Sequence, residues 1–243
     1  MKPPEKLYEF HVANLRSVSD GLDHVFRSAR NAIARGDQSV ISTHIRFLSF
    51  LLRARSEVRL FKMLYEPKGF SPADRVCILK ATALERWLLA VEIAFRRHYG
   101  IPRAALRPPK LPSTAHFRLR TLEQMLRIEL REIITMRNKL AHGQWTYPLN
   151  EAMDEVAQEQ MDALRRETVL SLTQKAELLD ILCKVVHDLA VSRPTFERDW
   201  DRHFGRLEQT RTNIERKSYE KWEAQIRARY RRGRERLLSA CDG

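Results

Sequence analysis

Three residues near the middle of the chain, Arg137, Asn138 and His142, combine types and spacing suited to moving protons beside an anion. An imidazole exchanges protons near neutral pH, and a guanidinium offers a planar pair of donors to phosphate or carboxylate oxygens. Asn138 brings a donor and an acceptor that can orient either group. Because Asn138 and His142 are four residues apart, a helix places both on one face about a turn apart, beside Arg137.

The segment that must position them reads as a helix. Leu119, Leu122, Leu126, Leu130, Ile133 and Leu140 recur at three- and four-residue steps and share one side of it. Arg137 falls within this apolar stripe, where an always-charged group needs an anionic partner: a carboxylate, another subunit or a bound phosphate. Glu85 and Glu92, two turns apart on the preceding helical segment, are the candidate carboxylates. Gly143 can take the left-handed conformation that closes a helix. A basic last turn followed by Gly also describes an ordinary helix C-terminus, where cations complement the backbone dipole.

Spacing alone decides little. With 33 Arg and 8 His in 243 residues, chance supplies an Arg followed five places on by His about once, and the chain holds two such pairs. The second is Arg198 with His203. There Phe196, Trp200, Phe204 and Leu207 form the apolar stripe, so Arg198 faces solvent beside Asp199 and Asp201, whereas His203 lies on the apolar side.

Met136 to Trp145, MRNKLAHGQW, resembles the signature of the HEPN family of helical ribonucleases. In that family Arg and His are separated by four to six residues, the residue after Arg is usually polar, and two protomers pair their motifs across a dimer. The resemblance implies a metal-independent endoribonuclease of toxin or phage-defence type, with Arg137 and His142 as the catalytic pair and Asn138 orienting them. It further implies RNA cleavage by 2′-hydroxyl attack, a homodimer and no cofactor. An antitoxin or defence-system protein is a further partner consistent with it. One departure is Gln144, which stands where the branch paired with nucleotidyltransferase antitoxins carries Tyr.

Composition supports a helical, anion-binding protein. Only 8 Gly are present, long stretches are rich in Leu, Ala, Arg and Glu, and no period-two strand pattern stands out. The fold class expected is all-α: an antiparallel HEPN-like bundle over residues 1–192 and a basic helical extension over 193–243. The net charge of +13 makes a polyanion the leading partner class. Three cysteines without close spacing suggest neither a disulfide framework nor a zinc site, and no His-x-x-x-His spacing occurs. A reducing cytoplasm fits, and no apolar run approaches the roughly 20 residues of a membrane span.

Along the chain, helices are expected over 6–34 and 39–65. A third starts at the Ser71-Pro72 cap and runs to Tyr99, and another starts at Asn150 and runs to about Val191. Between Glu92 and Glu123 there is no acid but seven basic residues, and the proline-rich part of that span reads as a loop. Arg103, Arg107, Lys110 and Arg118 are therefore candidate RNA contacts, as is Lys139 in the motif. Trp145 and Tyr147 can stack an unpaired base, or Trp145 can pack against the bundle. Six Arg crowd residues 227–236 against the single acid Glu235. An alternative reading is a non-catalytic helical module of the same kind that binds RNA or a partner protein.

Overall fold

The computed structural model describes residues 3–67 and 69–241, except the side chains of Glu132, Arg137 and residues 237–241. Among the described residues there are nine helices and no strand; one isolated bridge joins Leu149 and Val156. The helices α1 (Pro4–Arg35) and α2 (Gln38–Tyr65) pack together across Gly36 and Asp37, whose carboxylate accepts the Val40 amide at 3.1 Å.

The span expected as one helix to Tyr99 is two, α3 (Pro72–Lys80) and α4 (Ala83–Tyr99). The break is chemical: the Thr82 amide and hydroxyl both donate to Glu85, at 3.0 and 2.8 Å, closing a capping box that starts α4. Those hydrogen bonds hold the Glu85 carboxyl below its usual range. Next comes α5 (Ser113–Ala141), the long helix that carries the motif.

Beyond it, Asn150 does not start a helix. Its side chain instead accepts the Asp154 amide at 3.2 Å and donates to the Asp154 carboxylate at 2.7 Å, making a local turn. Helix α6 (Gln158–Arg166) follows, and a further capping box, Thr168 with Ser171, separates it from α7 (Val169–Val191). The chain ends in α8 (Arg193–Arg216) and α9 (Tyr219–Cys241).

Helix α7 is buried nearly all round and touches α1, α2, α4 and α8, so it is the centre of the core. Helix α5 lies against α2 and α4. The core does not stop at Ser192: Phe196, Trp200 and Leu207 of α8 belong to it, and Trp222 and Ile226 of α9 rest on it. The last turns of α5 leave this core for a small separate cluster in which Met136 and Leu140 meet Leu164 of α6, with Trp145 and Ala163 packed alongside. The motif thus sits on its own hydrophobic footing. No helix among the described residues is long and apolar enough to cross a membrane.

Candidate active site

Helix α5 ends where the sequence marks an end. The His142 amide still bonds back to Asn138, and Gly143 then turns into the left-handed region at φ 75°, letting the Gly143 and Gln144 amides reach Leu140 and Lys139. Asn138 and His142 are both exposed on this last stretch. The Arg137 side chain lies outside the described residues. Its backbone position is phased with Leu119, Leu126, Leu130 and Ile133, all buried. Since five residues turn a helix by about 140°, positions 137 and 142 do not share a face.

The loop after the motif is pinned to it. Gln144 accepts the Leu149 amide at 2.8 Å, and the Lys139 ammonium donates to the Leu149 carbonyl. Lys139 therefore holds the loop instead of projecting as a free cation. Trp145 donates its indole N–H to the Leu140 carbonyl at 3.0 Å and meets Phe47 edge to face at 5.2 Å, while its own carbonyl accepts from Arg46 at 2.6 Å. Of the two candidate stacking aromatics, Trp145 is thus half-buried packing. Tyr147, 59% exposed, is the one presented to solvent, beside a cleft of about 420 Å³ that also meets Arg46 and Arg165.

The basic loop occupies a different place. Ile101 and Leu111 are buried and anchor it, and the Arg96 guanidinium binds the carbonyls of Ile101 and Ala104. Arg103, Arg107 and Lys110 are left exposed between those anchors. This loop enters α5 at Ser113, and at about 1.5 Å per residue the helix's 29 residues put some 40 Å between that end and His142. Arg118 lies over the Trp200 ring at 5.6 Å, a contact that ties α5 to α8. Glu85 and Glu92, the candidate partners of Arg137, are engaged elsewhere: Glu85 with Thr82, and Glu92 with Arg96 at 2.7 Å.

Beside the motif, the structure brings together residues that the sequence reading passed over. Arg127, Arg131, Thr135, Asn138 and His142 follow one another at four, four, three and four residues, an arc of about 80° on one face of α5. Arg127, Arg131 and Thr135 line a groove of about 700 Å³ against Glu159, Asp162 and Arg166 of α6. Three guanidinium groups face two carboxylates, so the groove carries net positive charge along the face that continues to Asn138 and His142. The four-residue step from Arg127 to Arg131 and on to Thr135 was the available signal.

Chemically, this face offers an exposed imidazole, an exposed amide and a row of cations that can bind a chain of phosphates. Among the described residues, no grouping of metal-ligating side chains includes His142. Cys183 is buried in the core, its thiol pushed up to about 11 by that burial, and it is not a nucleophile at neutral pH. No protein-family model, curated protein or solved structure matches this chain.

Proposed function

We propose that the protein is a metal-independent endoribonuclease of the HEPN type, acting as a homodimer of an antiparallel helical bundle. The observation that carries this reading is the exposed Asn138 and His142 at the end of α5, on the same face as Arg127 and Arg131. One His142 takes the proton of a ribose 2′-hydroxyl as its oxygen attacks phosphorus. The P–O5′ bond breaks, and a proton passes to the departing 5′-oxygen. Arg137 neutralises the five-coordinate phosphate as charge develops on it. The products are a 2′,3′-cyclic phosphate and a 5′-hydroxyl.

A second copy supplies what one copy lacks. Positions 137 and 142 face different ways on a single helix, so two α5 ends related by a two-fold axis set both motifs around one cleft, with the imidazole of one copy beside the guanidinium of the other. The groove along α5 and α6 and the exposed Tyr147 hold the RNA on either side of the scissile bond. Such an enzyme acts on cytoplasmic RNA, restrained by a toxin-antitoxin or phage-defence partner.

The test is incubation of the purified full chain with single-stranded RNA in EDTA, with chemical mapping of the new ends. Cyclic phosphate ends from the wild type and intact RNA with His142→Ala are expected. Cleavage that needs added metal, or that leaves 3′-hydroxyl ends, overturns the mechanism. A strictly monomeric mass in light scattering at micromolar concentration overturns the paired arrangement.

A further inference from the structure

The least satisfied polar group in the described molecule is far from the motif in sequence. His203 of α8 is 3% exposed, and neither ring nitrogen has a hydrogen-bond partner. Its Nε2 lies 3.4 Å from Oδ2 of Asp188 on α7, which is 5% exposed and likewise lacks a hydrogen bond at that oxygen. Asp199 sits one helical turn before His203, and a donor atom from each of the three lies within 4.8 Å of the others. Buried polar atoms are nearly always paired, so a buried imidazole with neither nitrogen hydrogen-bonded calls for a physical cause.

We propose that Asp188, Asp199 and His203 form a site for a divalent transition metal of the zinc class, which clips α8 onto α7. One imidazole and two carboxylates are a donor set that first-row ions such as Zn²⁺ accept, whereas Mg²⁺ and Ca²⁺ favour oxygen alone. For His203 and Asp188 the spacing fits as well. Bonds of about 2.0–2.1 Å at tetrahedral angles hold neighbouring donors about 3.3–3.5 Å apart, which is the separation already present between His203 and Asp188. Asp199 and His203 are i and i+4 on one helix, so both aim to the same side, and Asp188 faces them from the neighbouring helix.

Charge is also balanced. Without an ion, Asp199 is neutralised by Arg198 and Arg202, each at 3.0 Å, and Asp188 by Lys184 at 3.3 Å, with His187 Nδ1 at 3.6 Å. The Arg198, Arg202 and Lys184 side chains are 72%, 63% and 53% exposed, so these are surface ion pairs that yield readily to a stronger cation. A dication matches the charge of the two carboxylates and takes the lone pair of one ring nitrogen, whereas a single Lys or Arg balances only one of the carboxylates. Solvent takes the remaining coordination position. Because α8 leads into the basic α9, the clip fixes where the extension leaves the core.

The test uses the full chain, stripped with a chelator, dialysed and titrated with Zn²⁺ alone, with Mg²⁺ as the control ion. Calorimetry is expected to give one Zn²⁺ per chain, and a hundredfold excess over Kd should raise the melting temperature by about 5–10 °C. Co²⁺ in place of Zn²⁺ should show the visible absorption of a low-symmetry, nitrogen- and oxygen-bound ion. His203→Gln and the more exposed Asp199→Asn, each checked for native circular dichroism, should weaken binding about tenfold or more, whereas His142→Ala should bind as the wild type does. Absence of a one-to-one site in the wild type overturns the proposal. So does undiminished affinity in folded Asp199→Asn, even if His203→Gln does not fold. None of these readouts depends on RNA cleavage, so this site and the catalytic reading can fail separately.

Discussion

The two places where an Arg is followed five residues later by a His make opposite structures. At Arg198 and His203 the helix continues: His203 is buried against α7, and Arg198 is 72% exposed and paired with Asp199. At Arg137 and His142 the helix ends, and it is the His that is exposed while position 137 is phased with the apolar stripe. The same five-residue step therefore yields a packed histidine in one case and a presented one in the other. What separates them is helix phase and the Gly143 stop, and neither is visible in the spacing.

Packing sets the largest difference between the two turns. Phe196 is 1% exposed in the main core beside the His203 turn, so Phe196→Ala should cost about 3–5 kcal/mol in urea unfolding. The motif turn rests on a far smaller cluster, so its own variants should cost much less. Gly143→Ala comes next. Its φ of 75° disfavours any side chain, yet nothing lies within 4 Å of an added Cβ, so the loss should be the backbone strain alone, about 1–2 kcal/mol. A loss as large as that of Phe196→Ala would show that the motif turn is not peripheral.

Smaller effects sharpen the same contrast on RNA. Replacing Arg127 and Arg131 by Ala should weaken single-strand binding and lower its salt slope by about 1.4, roughly 0.7 for each phosphate no longer neutralised. Replacing Arg198 and Arg202, which serve Asp199, should leave the slope unchanged. The triple change of Arg103, Arg107 and Lys110 to Ala should lower it only for RNA long enough to run about 40 Å along α5. Smallest is the stability cost of His142→Ala, about 0.3–1 kcal/mol, since it removes only a favourable group at a helix end.

Much of the helical order was legible because leucine spacing and stops carry it. The ends of α1 and α2 and the close of α5 at Gly143 fall where the apolar periods and glycines say. The break at Thr82 was hidden because Glu85 was weighed as a partner for Arg137, although Thr-x-x-Glu is a capping box. Asn150 misled in the other direction: its side chain builds a turn with Asp154, and local hydrogen bonding of Asn favours both outcomes.

For the site, Asn138 and His142 were legible, since one helical turn relates them. The groove was less so. Arg127 and Arg131 look like ordinary solvated charges until α6 is placed across a groove from them. Lys139, Trp145 and Arg118 looked like RNA contacts by type, but partners distant in sequence or across a loop engage them: Leu149, Phe47 and Trp200. The cluster of Asp188 with Asp199 and His203 was out of reach for the same reason, because two helices must pack before three donors meet.

In the proposed mechanism the exposed histidine, not the buried one, moves the proton. The direct measurement is the single-turnover rate of RNA cleavage in EDTA for wild type, His142→Ala and His203→Ala, each confirmed folded. A positioned acid or base is worth about 10²- to 10⁴-fold. A loss of that size is expected for His142→Ala and a near wild-type rate for folded His203→Ala. Equal rates for wild type and His142→Ala, or a loss confined to His203→Ala, would contradict that mechanism.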